Sequence, residues 1–297
     1  MQKKTLWALA ACFTFVGGGA TACNDDPAPQ PIQRSAGTPR PTHFSYGMVT
    51  FTFDDGWVGQ ADYAAPRLES RGWRGTFYLV PQWFGLRRDH ERFMTIDQAR
   101  AIALAGHEIG DHTMTHPHLP TLSSEDVRRE MVECQSFLAE KLGVAPERIT
   151  SFASPFGDFD SAVVDQARTL FSSHRTTQAV LNTPASDPYA LGGVSLGVGH
   201  HGRPVESTGN IASFVRQAAD EKKWLILLVH GIVDGKPFRP TDFQLSDFDA
   251  LLDQVDDADL RVVTMEQGVD ELRDIQGDGT AMEESVDGND DSNDSQK

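Results

Sequence analysis

Five polar residues carry side chains that could act together: Asp54 and Asp55 in Thr52-Phe53-Asp54-Asp55-Gly56, His112 and His116 in His112-Thr113-Met114-Thr115-His116, and His230 after the apolar run Leu225–Val229. One carboxylate with two imidazoles is a mixed oxygen and nitrogen donor set. It suits a borderline divalent ion, zinc first, with cobalt or nickel as alternatives. Three protein ligands leave coordination positions open, and a water held there has its pKa lowered from about 16 to about 7. The second aspartate and His230 are then free to move protons. Neighbouring side chains at a strand end diverge, so one aspartate can face the metal and the other the reacting water, and spacing does not say which. Histidines four residues apart can converge on one ion from a helix or from a suitable loop. Of the remaining candidates, His118 follows Pro117 and reads as loop packing, Asp111 as a group that caps or orients the loop, and His200 and His201 as surface residues or supports behind the site.

The elements that must position these residues alternate. Strand-like segments are read at Gly47–Phe53, Thr76–Val80, His107–Gly110, Thr150–Ala153, Val194–Leu196, Trp224–Val229 and Arg261–Thr264. Helical periodicity is read at Asp62–Ser70, from Thr95 to Gly106, from Ser123 or Ser124 to Leu142, and at Ser161–Thr169, Asn210–Glu221 and Leu245–Val255. Such βα alternation predicts a parallel sheet, open or closed into a barrel. Asp54, His112, Pro155 and His230 all follow apolar strands, and in parallel α/β folds the strand C-termini gather on one face and build the site.

The 297 residues suffice for one large domain, and no internal repeat is visible. Lys and Arg number 26 against 43 Asp and Glu, a net charge of −17, which argues against nucleic acid or anionic lipid as a partner. Residues 1–22 read as a signal peptide, with Lys3 and Lys4, an apolar stretch Leu6–Val16 and small residues before Cys23. Ala20-Thr21-Ala22-Cys23 resembles a bacterial lipobox, with Ala20 where leucine is usual. Export follows, either as a periplasmic or cell-surface lipoprotein attached to the membrane only through lipid on Cys23, or as a secreted protein. Cys134 is then the one mature cysteine left free, in a helical pattern with Val127, Met131, Leu138 and Leu142 that reads as core. Residues 23–43 hold five prolines after Asn24 and read as a tether, residues 44–275 as the folded domain, and residues 276–297, with seven acids, as a disordered tail.

The order Thr-Phe-Asp-Asp-Gly, His-Thr-x-x-His-Pro-x-Leu, Ser-Pro-Phe-Gly and Leu-Leu-Val-His-Gly resembles the polysaccharide deacetylases, the group with a NodB homology domain also called carbohydrate esterase family 4. The resemblance covers about Tyr46 to Val269. It implies a single-domain α/β fold, a distorted (β/α) barrel of about seven parallel strands, that removes N- or O-acetyl groups from an acetylated glycan, and the chain is expected to act as a monomer. By the family pattern Asp54 is the general base, Asp55, His112 and His116 hold the metal, and His230 is the general acid. The backbone N–H of Phe156 helps hold the oxyanion.

Two motifs depart from that pattern. The third is usually Arg-x-Pro-Tyr, whose arginine pairs with the base; here it reads Ala153-Ser154-Pro155-Phe156, and no substitute cation is evident in the sequence. For the fourth, which orients the acid through an Asp and a Trp, Asp187-Pro188-Tyr189 is the nearest candidate. Trp57, Trp83, Phe84 and Tyr189 are candidates for stacking on sugars, with core packing the competing role. An amidohydrolase of a small C–N substrate on the same scaffold, and a degenerate glycan-binding module, are the rival functions.

Overall fold

A computed structural model describes residues 41–88, 91–197 and 208–277. The signal peptide, Cys23, most of the tether, His200, His201 and the acidic tail beyond Gly277 lie outside the described residues. The strands are β1 (Met48–Asp54), β2 (Thr76–Leu79), the hairpin β3 (Arg87–Arg88) and β4 (Glu91–Arg92), β5 (Glu108–Asp111), β6 (Ser151–Ala153), β7 (Ser173–Arg175), β8 (Val194–Ser195), β9 (Trp224–Val229), β10 (Ile232–Val233), β11 (Phe243–Gln244) and β12 (Arg261–Val262). The α-helices are α1 (Ala65–Ser70), α2 (Ile96–Leu104), α3 (Ser124–Leu142), α4 (Ser161–Leu170), α5 (Thr208–Asp220), α6 (Leu245–Asp257) and α7 (Met265–Gln276).

The main sheet runs β7-β6-β5-β2-β1-β9-β8, every pairing parallel, and β12 joins the first residues of β1. The edges approach each other. His174 N–H donates to Pro188 O, Leu191 N–H to His174 O and Thr176 N–H to Leu191 O, so the chain entering β8 runs along β7. This short irregular seam makes the curled sheet the distorted (β/α) barrel expected from the sequence.

Side-chain alternation sorts the strands into two faces. Val49, Phe51 and Phe53 of β1, Phe77 and Leu79 of β2 and Leu225, Leu227 and Val229 of β9 join the layer under the helices. Met48, Tyr78, Ala153, Trp224 and Ile226 form a second cluster inside the barrel. Polar residues of that inner face bond to one another: Trp224 Nε1 donates to Thr50 Oγ1, and Thr76 and Ser151 hydroxyls donate to Glu108. Gly110 belongs here because a Cβ at this point would come within 2.4 Å of the Tyr78 ring. The same parity brings Asp54, His112, Arg175 and His230 to the inner face at the C-terminal ends of β1, β5, β7 and β9.

Helix starts follow the capping rules. Thr95 and Thr264 form capping boxes with Gln98 and Gln267, and the Ser123 hydroxyl accepts from Asp126 N–H. Besides the two short pairs β3–β4 and β10–β11, three features differ from the sequence expectation. The first helical segment begins as a π-helical turn at Gln60–Ala64 before α1. The last strand is shorter than Arg261–Thr264 and leads into α7, whose periodicity extends through Gln276 to a left-handed cap at Gly277. β7 was not anticipated at all, because Ser173-His174-Arg175 is a wholly buried strand written in polar residues.

Candidate metal and catalytic site

Asp54 is the last inward residue of β1, and the chain turns immediately after it: Asp55 has φ 74° and Gly56 φ 79°. The turn sends the Asp55 carboxylate toward two imidazoles. Its Oδ1 lies 3.5 Å from His112 Nε2 and 3.4 Å from His116 Nε2. His116 comes back to the same point because Thr113 and His116 both take left-handed backbone angles, with φ 66° and 63°. A hydrogen bond from His116 N–H to Thr113 Oγ1 holds that loop, and Asp111 Oδ1 accepts from Thr113 N–H at 2.9 Å, the orienting contact read for Asp111. The three ligand atoms lie within 4.8 Å of one another.

The three candidate ligands are held from behind. His112 Nδ1 is 2.7 Å from the carbonyl oxygen of Ala153, so its N–H donates there and the Nε2 lone pair is left facing Asp55. Trp57 Nε1 donates to Asp55 Oδ2 at 3.0 Å. Asp55 Oδ1 is buried and has no hydrogen-bond donor. A buried carboxylate oxygen aimed at the Nε2 atoms of two imidazoles is a donor set that fits a divalent cation. The charges agree: burial alone would raise the Asp55 carboxyl, but the surrounding His112, His230 and His116 imidazoles reverse this and hold it well below the usual carboxylate range. Burial, with the neighbouring His112, pushes His116 down to about 3, which keeps it a neutral ligand. Burial opposes a proton on His112, but Asp55 and Asp54 outweigh it and raise that imidazole, so a cation there competes with a proton.

Asp54 lies beside this set, with Oδ2 3.9 Å from His112 Nε2. Its partner is a residue that the sequence reading missed. Arg175 Nη2 donates to both Asp54 oxygens, at 2.5 and 2.6 Å, from the inner face of β7. No cation for Asp54 was evident in the sequence, and the structure puts Arg175 there. The one sequence signal was a gap: α4 is followed by a stretch without an apolar strand where βα alternation called for one.

His230 follows β9, and its Nε2 is 4.0 Å from Asp55 Oδ2. Gln60 Nε2 bridges the Asp54 and His230 carbonyls, tying the two strand ends together. The fourth-motif candidate sits elsewhere: Asp187 pairs with Arg168, and Tyr189 donates its hydroxyl to the Phe171 carbonyl under the same arginine. Neither has a described contact with His230.

All five candidates line one cavity of about 550 Å³, together with Trp83, Ser154, Phe156, Asp158 and Thr177. Phe156 adopts φ 60° and is 43% exposed; its ring meets His116 edge-on and stacks on His118, which bonds Asp158. His118 thus packs the loop, as read. Of the four aromatics weighed for sugar stacking, Trp83 lines the cavity. Trp57 is buried between Phe93 and the Arg239 guanidinium, and Phe84 packs on Phe137. Cys134 is buried on α3, as its periodicity indicated.

The chain is similar to known proteins in sequence and in fold. Residues 43–171 match the family described as Polysaccharide deacetylase. A chitin deacetylase of Pestalotiopsis sp is 33% identical over 46% of this chain and 44% of its own length. A peptidoglycan-N-acetylglucosamine deacetylase of Bacillus cereus is 30% identical over 39% of this chain and 38% of its own length. The chain thus spans less than half of either relative. Among solved structures, a carbohydrate esterase family 4 pseudoenzyme from Bacillus anthracis superposes with a TM-score of 0.53 at 19% identity, over 77% of this chain and 67% of that one, a likeness of fold. Residues 43–171, with the ordered motifs they carry, are thus a segment of the polysaccharide deacetylase family with its NodB homology domain, and the barrel around them has the fold of that family's solved structures.

Proposed function

We propose that this protein is a metal-dependent hydrolase that removes acetyl groups from an N- or O-acetylated polysaccharide of the chitin, peptidoglycan or poly-N-acetylglucosamine kind. The observation that carries the reading is the buried, unpartnered Asp55 Oδ1 facing His112 and His116, with the Asp54 carboxylate beside it in the same cavity. Asp55, His112 and His116 would hold the ion, zinc by donor type. When bound, such an ion polarises an acyl oxygen and makes water acidic enough to attack at neutral pH.

The chain's own groups do the rest. Asp54 takes the proton of the attacking water, and Arg175 keeps its carboxylate in one orientation. The Phe156 N–H is assigned to the oxyanion, a role that depends on the backbone and not on the side chain. His230, on the far side of Asp55, supplies a proton to the departing nitrogen or oxygen, since an amide does not expel a bare amine anion. Trp83 and the exposed Phe156 ring are apolar faces for a sugar and its acetyl methyl.

The reading includes export by the N-terminal segment and, through Cys23, a lipid anchor. Among the described residues no helix is long and apolar enough to cross a membrane. The test is metal analysis of purified protein together with acetate release from acetylated chitooligosaccharides, peptidoglycan, poly-N-acetylglucosamine and acetylxylan. Stoichiometric metal without acetate from any of them overturns the deacetylase reading for these substrates and favours a glycan-binding module. Turnover of small C–N compounds alone favours the amidohydrolase.

A further inference from the structure

Ala153 and Arg175 are register partners on β6 and β7, side by side on the inner face of the barrel. One is a methyl group, and the other is the longest cation available. The Arg175 side chain is 0% exposed, its Cζ stands 5.1 Å from the Tyr78 ring, and its Nη2 meets both oxygens of Asp54. The space for it is built by small neighbours. Beyond the methyl of Ala153, a Cβ at Gly193 would come within 2.8 Å of Arg175 Cδ and 2.8 Å of Thr176 O.

We propose that Arg175 is the residue that positions the general base, supplied from β7 because β6 ends in alanine, and that positions 153 and 175 can exchange this role across one rung of the β-ladder. This inference rests on Asp54 being the base. Stability does not explain the arginine. Its Nε and Nη1 are buried without hydrogen-bond partners, so the guanidinium is desolvated for a contact through one nitrogen. A buried ion pair of this kind adds little or negative stability compared with apolar residues of similar volume. What the contact does provide is orientation. With both carboxylate oxygens drawn to one nitrogen, the plane of Asp54 is fixed and its outer lone pairs stay turned to the cavity, where the water proton must arrive.

Three variants test this: Arg175→Met, which keeps volume and loses charge, Arg175→Ala, and the double variant Arg175→Met with Ala153→Arg. Acetate release is followed along with metal content and thermal melting. Arg175→Met should lower kcat by about 100-fold or more, the scale of general-base catalysis, with KM within about twofold and metal retained. Added guanidinium should restore part of the turnover of Arg175→Ala. The double variant should recover at least about tenfold over Arg175→Met, since the cation then reaches Asp54 from the adjacent strand. Full kcat in a folded, metal-loaded Arg175→Met protein overturns the inference and leaves the deacetylase reading standing. Parallel loss of metal and turnover, with no recovery from guanidinium or from the double variant, assigns Arg175 a structural role. If Arg175→Met does not fold, the double variant and guanidinium rescue decide the matter. A wild-type protein that releases no acetate overturns the deacetylase reading and this inference with it.

Discussion

Removing or adding the metal should move the stability of this domain by an amount set by its ligand geometry. Asp55 Oδ1, His112 Nε2 and His116 Nε2 already converge, with the Oδ1 unpartnered, so the folded state presents an assembled site that the unfolded chain lacks. An ion that binds only the folded state at 100 times its Kd adds about 2.7 kcal/mol. At about 2–4 °C per kcal/mol for a domain of this size, melting should rise by roughly 5–11 °C. Differential scanning fluorimetry of chelated protein titrated with zinc measures this directly. His112→Ala should abolish the shift and the turnover together. Asp54→Asn should keep most of the shift and lose about 100-fold or more in kcat, because Asp54 is read as base and not as ligand. Equal loss of the metal-induced shift in the two variants would show the aspartates to be assigned the wrong way round.

The supporting residues give further expectations. Trp57→Phe removes the indole donor on Asp55 Oδ2 and should weaken metal binding about 10–100-fold, measured by competition with a zinc chelator. His230→Ala should slow an N-acetyl substrate far more than an aryl acetate, whose leaving group departs without a proton; equal losses on both would remove the acid role. Metal affinity should fall as pH drops through the raised titration range of His112 and level off above it, and a flat profile between pH 5.5 and 8 would contradict proton competition at that imidazole. The sign for the metal-free protein is opposite. A raised folded-state pKa contributes stability that is fully present below the unfolded histidine value of about 6.5 and is lost as pH rises through the folded value, so the metal-induced shift should be largest on the alkaline side.

How much of this could be read from the sequence follows from where each residue puts its apolar neighbours. β1 and β9 are buried on both faces, β9 as a continuous apolar run and β1 as apolar residues interrupted only by Thr50 and Thr52, so Asp54 and His230 announce themselves as polar residues at the ends of strands. His112 and His116 announce themselves by spacing, although what brings them together is a loop with two left-handed residues and not a helix. The helices α2 and α3 carry their caps in the sequence at Thr95 and Ser123. The supports behind the ligands left no such trace. Trp57 is two residues from Asp55 but reads as a sugar platform until its Nε1 is seen on the carboxylate, and the Ala153 carbonyl that fixes the tautomer of His112 belongs to no side chain.

β7 shows the limit most sharply, and its cause is physical. A strand is found by its hydrophobic alternation because most strands bury one apolar face, and β7 buries two polar ones. On the outside, His174 stacks on Phe152 and meets Phe159 edge-on, and its Nε2 meets Ser154 Oγ at 2.8 Å. On the inside, Arg175 meets a carboxylate that is 121 residues away in sequence. Each polar group is tolerable only because its partner is already in place, which no local window can register. The backbone at the site obeys the same logic. Asp55, Thr113, His116 and Phe156 are four of the six non-glycine residues with positive φ among those described. Conformations of this kind cost about 1–3 kcal/mol each and persist where surrounding structure over-determines them. Strain and buried charge meet at the ends of β1, β5, β6 and β7, where the barrel spends stability to aim side chains. A sequence records the side chains; only the closed sheet supplies the reason they are held there.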